Sequence, residues 1–320
     1  TLFATLTVSG SFVVASEARI ELSPLEDSNA ITIRSRDARQ QLIVTAIAAD
    51  GTLTDATREA TWVISDPSVL AIDSDGMAIP TADGDITVTV KVGEQTATAH
   101  VSVSGFATAL PISFGNQIVP IFTKLGCNGG GCHGKSGGQN GFKLSLLGFY
   151  PSDDFEFLRK ESRGRRIFPA IPAESLLLKK ATGSSPHGGG KRMEAGSYEY
   201  NLLVQWIEQG MPYGGDNDPF VTGIRCVPET RTMTQKSQQQ IAVIATYSDG
   251  TQEDVTRMAL FEANEAEMAE CSTTGLVSTL DLAGEVAIMA RYQGQVATFR
   301  ATIPLGADTT NMPEPINLVD

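Results

Sequence analysis

Asp50-Gly51-Thr52-Leu53-Thr54-Asp55-Ala56-Thr57-Arg58 and Asp249-Gly250-Thr251-Gln252-Glu253-Asp254-Val255-Thr256-Arg257 are one phrase written twice in a chain of 320 residues. Both read Asp-Gly-Thr-x-x-Asp-x-Thr-Arg, and the match extends outward. Gln41-Leu42 recurs as Gln240-Ile241 and Gly76 recurs as Gly275, each at an offset of 199 residues. A constant offset from residue 41 to residue 76 marks an internal repeat. Around the first copy, hydrophobicity alternates. Runs such as Leu42 to Ile47 and Ile86 to Val90 are separated by Asp-Gly turn signals at 50, 75 and 83. Short alternating strands at this spacing predict an antiparallel sandwich. His100, in the run Thr96 to Val103, reads as an outward strand residue.

Both copies resemble the bacterial Ig-like group 2 family over about 85 residues each, on the strand-Asp-Gly-Thr-x-x-Asp-x-Thr-Arg pattern. That resemblance implies a spacer or adhesion module with no catalytic residues of its own. The copies differ at two presumed core positions. Leu22 before Ser23-Pro24 aligns with Cys226 before Val227-Pro228, and Ile72 aligns with Cys271. A Cys226–Cys271 disulfide would close a loop of roughly 45 residues and add a few kcal/mol. Two separate buried thiols, packing as small apolar groups, are the alternative.

Bulk composition sets further limits. The length suggests two or three domains. With 24 basic and 37 acidic side chains the net charge is −13, which argues against nucleic acid or an anionic membrane as the main partner. Residues 110–215 hold 12 of the basic and 8 of the acidic groups, so a mildly basic middle (+4) lies between acidic flanks (−17). Thr1 to Ala15 (TLFATLTVSGSFVVA) is apolar, uncharged and ends in small residues. It reads as the remnant of a secretory signal over 1–18, or else as a first strand, and it is too short to span a membrane. Export implies a periplasmic or extracellular location, where disulfides and covalent haem assembly are both at home.

Between the repeats, from Pro111 to Gly215, helical periodicity and Gly-rich loops replace alternation. Asn116, Ser152 and Ser197 are the expected caps of helices starting near 118, at 153 and after 197, and Pro172 to Lys180 reads as a further helix. The first helix runs into Cys127-Asn128-Gly129-Gly130-Gly131-Cys132-His133. Two thiols followed at once by an imidazole are the grammar of covalent haem attachment, here with a loop two residues longer than C-x-x-C-H. Cys127 and Cys132 would add across the vinyl groups and His133 would be the proximal iron ligand. A zinc knuckle or a plain Cys pair are the alternatives. The distal side has two candidates in Pro186 to Met193, namely His187 and Met193, and spacing alone favours Met193. Among Arg159, Lys160, Arg163, Arg165 and Arg166, the pair Arg165 and Arg166 are candidates for haem propionates. The rest of this run suits a docking face for an acidic partner.

Residues 112–214 resemble the planctomycete-type cytochrome c domain. The resemblance rests on Cys127-x4-Cys132-His133, Gly164 to Pro169, Ser175 to Leu178, His187 to Arg192, and Tyr200-x-Leu202-Leu203-x-x-Trp206-Ile207-x-x-Gly210. It implies His187, in preference to Met193, as the distal ligand. The expected fold class is therefore two all-β Ig-like sandwiches (19–108 and 220–305) flanking an all-α class I cytochrome c-like domain (109–216), with a linker at 306–320. The expected function is an exported carrier of single electrons on one haem c, served by a redox partner protein or by downstream domains of a longer polypeptide. Other readings are the front part of a larger enzyme, a ligand sensor with an open distal site, and an adhesion protein with a zinc-stapled insert. No catalytic set is visible, and the chain has only three His.

Overall fold

The computed structural model describes residues 17–25, 29–107, 110–215 and 217–306. Nearly all of the expected signal remnant, and the linker beyond 306, lie outside the described residues. Each repeat forms a sandwich, and the two have the same topology. In the first, Ile43–Ile47 lies between Arg19–Ser23 and Leu53–Asp55. Facing it, Gln95–Ser104 and Gly84–Val92 form a long hairpin edged by Ala30–Arg34, which joins in parallel, and by Thr61–Ile64. Gln40–Gln41, Met77–Pro80 and Leu70–Ile72 close one end. The second copy repeats this strand for strand with Ala242–Tyr247 at the centre of its small sheet and Gly284–Tyr292 paired to Gln295–Ile303. Alternation sends Ile86, Val88 and Val90 into one core and Val286, Ile288 and Ala290 into the other. His100 is exposed on its strand.

The repeated phrase has a local physical meaning. Asp55 Oδ1 accepts the Thr57 amide at 2.8 Å, and Thr57 Oγ1 in turn accepts the Val44 amide at 3.0 Å. Asp254, Thr256 and Val243 repeat this at 2.8 and 2.8 Å. The Asp caps a turn and the Thr hydroxyl satisfies a strand amide that has no ladder partner there. Gly76 has φ +79°, and a Cβ there would lie 2.5 Å from the Leu42 carbonyl oxygen; at Gly275 (φ +83°) the figure is 2.7 Å from Ile241. Only glycine fits both turns.

The segment between the sandwiches departs from the expected all-α domain. Its helices are short: α1 (Val119–Lys124), α2 (Pro151–Arg159), α3 (Leu176–Ala181) and α4 (Tyr198–Glu208). Long irregular loops join them, and strands dominate the chain as a whole. The physical reason is glycine. Gly126, Gly138, Gly141, Gly148, Gly164, Gly183, Gly190 and Gly196 all take positive φ, which no helix continues. The caps also differ in part. Ser113, not Asn116, opens the first helical stretch by accepting the Asn116 amide at 3.3 Å, whereas Ser197 caps α4 through Tyr200 at 3.2 Å. Trp206 is fully buried, donates to the Pro212 carbonyl at 2.8 Å, and packs with Phe114 and Phe155. This core holds the loops in place.

The module is tied to both sandwiches. Tyr198 Oη and Gln205 Nε2 donate to Asp37, at 3.3 and 3.0 Å, and the Arg39 guanidinium lies 5.2 Å over the Tyr198 ring. Toward the second sandwich, buried Lys124 pairs with Glu199 at 3.0 Å and donates to the Arg257 carbonyl, while Tyr292 Oη donates to the Asn116 carbonyl at 2.7 Å.

Candidate functional site

The Cys127–His133 loop is built on the end of α1. The Cys127 amide donates to Phe122 O at 2.8 Å, the Cys132 amide to Gly129 O at 2.9 Å, and the His133 amide to Cys127 O at 3.0 Å. The loop therefore folds back so that His133 sits beside Cys127. Asn128 is buried beneath it and donates to Thr123 Oγ1 at 2.9 Å, while its own Oδ1 has no protein partner. Gly134 follows under strict constraint, because a Cβ there would come 1.9 Å from the Asn128 carbonyl oxygen. Burial pushes the Cys127 thiol up to about 11, opposed by the nearby Arg192 charge. Arg192 also reaches Cys132 Sγ at 3.7 Å.

The structure brings His187 to His133. Their ring centroids are 6.3 Å apart with planes 7° from parallel. His133 Nδ1 lies 3.0 Å from the Phe142 carbonyl and His187 Nδ1 lies 2.8 Å from the Gly190 carbonyl. A carbonyl oxygen only accepts, so each Nδ1 carries a proton, and in the neutral imidazole the lone pair then lies on Nε2. This is how metal-binding imidazoles are held. Burial lowers the His133 pKa, with the Phe142 bond opposing, which favours the neutral, ligating form. Gly189 lies directly against His187, since a Cβ there would be 3.0 Å from its Cε1.

The other candidates separate. Met193 is buried in the module core. Arg165 is exposed. Arg166 is not free for propionates, which corrects that expectation. It is buried, donating to Phe157 O at 2.7 Å, Glu161 O at 3.0 Å, Gly141 O and Ser162 Oγ, with its guanidinium 4.5 Å over the Phe142 ring. Phe142 in turn lies 4.6 Å from the His133 ring. The sequence reading missed Phe142, Gly134 and Gly189 as parts of the site; the glycine runs were the visible signal. Among the described residues, no three His, Cys, Asp or Glu side chains converge as a metal site, so a zinc staple has no ligand set. Cys127, Cys132, His133 and His187 are the residues that could hold a haem. The loop also lies against exposed apolar surface: Leu146 approaches Gly130, and Leu147, Phe149 and Tyr150 continue the patch.

Cys226 and Cys271 lie in the second sandwich, Cys226 in its core and Cys271 packed against it. Burial pushes both thiols up to about 12, and Cys226 adds to the rise at Cys271, so the two are near neighbours.

Among proteins of known function, the chain is 24% identical over 289 residues to "Ice-binding protein 1" of Shewanella frigidimarina (strain NCIMB 400), covering 87% of this chain and 29% of that protein. This chain thus spans under a third of that relative. No family model matches. Among solved structures it aligns with the S-layer protein SbsC, domains 5–6 (9% identity, 89% of this chain and 99% of that one, TM-score 0.33). It also aligns with invasin, a bacterial integrin-binding protein (9%, 89% and 38%, TM-score 0.18). These scores are too low to inform the fold. Two expectations fall here. Membership of the planctomycete-type cytochrome c family finds no matching family model, nor does the bacterial Ig-like group 2 resemblance of the repeats, and the named relative is an ice-binding protein. Electron carriage, as module or as enzyme front end, falls with it, and so does a ligand sensor. Among the described residues no helix is long and apolar enough to cross a membrane.

Proposed function

We propose that this chain is the tandem-domain portion of an exported, surface-exposed protein, in which two Ig-like sandwiches display a loop-rich module. In this reading Cys127 and Cys132 would hold one haem c covalently, and His133 and His187 would hold its iron. The observation that supports it most is the near-parallel imidazole pair, each with its Nδ1 committed to a backbone carbonyl. When bound, the group would supply an iron centre. The chain's own residues bind and orient it. The thiols anchor its edge, Phe142 and Gly190 fix the two rings, and the Leu146 to Tyr150 patch offers apolar cover.

The test is a pyridine haemochrome spectrum on denatured protein made in a host that attaches haem during export. Covalent haem is expected, and a protein without a Soret band overturns the reading. In the loaded protein, His187→Ala should open a site for carbon monoxide while Met193→Leu should not. The relative's name supplies a second reading, ice binding, and the same preparation decides it. Inhibition of ice recrystallisation by the haem-free protein would favour that property as the shared one.

A further inference from the structure

The two sandwiches meet through equivalent surfaces in a reciprocal exchange. The Gln41 amide donates to Asp254 Oδ2 at 2.6 Å, and the equivalent Gln240 amide donates to Asp55 Oδ2. Residues 41 and 55 correspond to 240 and 254 at the offset of the repeat, so each copy gives what it receives. Gln40 Nε2 reinforces one side at 3.2 Å, and Arg58 reaches Gln240 Oε1 at 3.0 Å on the other. Between these bonds sits a small cluster of its own, Ile43 against Ala242 and Ile244, fully buried and separate from both sandwich cores. Ile43 and Ala242 are again equivalent positions. On the central strands Val44 and Val243 point into their cores, while Ile43 and Ala242 point the other way, at the opposite sandwich. An interface in which residue i meets j and j meets i is isologous.

We propose that this face, Gln41, Ile43 and Asp55 in one copy and Gln240, Ala242 and Asp254 in the other, is a self-recognition surface whose partner is a second copy of the same sandwich. Within one chain it is satisfied in cis, which closes sandwich, module and sandwich into a ring. The repeated Asp therefore has two tasks. Its Oδ1 caps the local turn and its Oδ2 receives the neighbour. Cis pairing benefits from a high effective concentration, on the order of mM, so a modest face suffices.

The claim has a specific consequence. If the second copy's face is spoiled, the first copy's face is left open and can pair with the same face of another chain. Ala242→Glu with Asp254→Asn spoils it: Asn keeps an oxygen for the Thr256 amide but turns an NH2 toward the Gln41 amide. Sedimentation equilibrium up to about 1 mM, matching the cis concentration, should show wild type as monomer and this variant as dimer. Adding Ile43→Glu and Asp55→Asn should return a monomer, now with a larger radius of gyration. A double variant that stays monomeric overturns the proposal. Should the glutamate prevent folding, Asp254→Asn alone serves, read by amide exchange. Gln41 should exchange at least tenfold faster than in wild type while Thr256 stays protected. Equal rates at Gln41 in the two proteins would overturn it as well.

Discussion

Arg166 illustrates how a single side chain can be misread from its neighbours. In sequence it is one of a basic run, and a guanidinium beside a haem motif suggests carboxylate binding. In the fold three of its contacts are backbone carbonyls, those of Gly141 and Glu161 in loops and of Phe157 in the last turn of α2, and its flat face covers Phe142. Glycine-rich loops have carbonyls without ladder partners, and a buried fork with five donors satisfies several at once. Replacing it with Lys keeps the charge but loses the fork, at a cost of about 2–3 kcal/mol by chemical denaturation. Because Phe142 supplies both the acceptor and a packing ring for His133, the 15N shifts of His133 should also move toward a mixture of tautomers. The cysteine pair carries a second prediction. In protein recovered from an oxidising compartment, Cys226 and Cys271 should be found joined, by mass spectrometry of unreduced peptides. The bond should raise stability by a few kcal/mol over the reduced form. Recovery of two alkylatable thiols after denaturation without reductant would refute the pairing.

At the level of elements, legibility depended on whether a residue's role is local. The turn-capping bond of Asp55 and the roles of Thr57 and Gly76 lie within a turn or on the adjacent strand, so the phrase that contains them reads directly as structure and repeats with it, whereas the bond that Asp55 Oδ2 accepts from the other sandwich leaves no local trace. The module is different. Its helices were placed near their true positions, yet they are six to eleven residues long, and their stability comes from a shared core rather than from propensity. What lies between them is set by steric contacts that leave no periodic trace. Gly134 is one such contact, pressed on the Asn128 carbonyl below the cysteine loop. Gly134→Ala should therefore cost at least about 2–3 kcal/mol, because the clash is with backbone and no side chain can swing away. Gly137→Ala, where nothing lies within 4 Å, should be nearly silent and provides the control in a paired thermal melt.

At the scale of the whole molecule, the sandwich pair places a carboxyl group where its access to water is reduced. Asp254 is half-buried between the copies, and desolvation there pushes its pKa up to about 6, with the bonds from Thr256 and Gln41 opposing. Its folded pKa thus lies above the unfolded value of about 3.9. The folded state then holds a proton that the unfolded chain releases, so this group's contribution is fully present below about pH 3.9 and is lost as pH rises through about 6. The shift corresponds to roughly 3 kcal/mol across that window. Other carboxylates act in the opposite direction: Asp50 and Asp249 are held low by bonds from Thr52 and Thr251, and Glu199 is held low by Lys124 against its own burial. The total curve therefore mixes signs, and the useful quantity is a difference. Urea unfolding of wild type and Asp254→Asn, measured from pH 4 to pH 7, should give stabilities whose gap shifts with pH. Wild type should lose about 2 kcal/mol relative to the variant, because Asn carries no proton to lose. A gap that stays constant across the window would mean that Asp254 ionises as it would in water, and that the two sandwiches do not exclude solvent from the face they share.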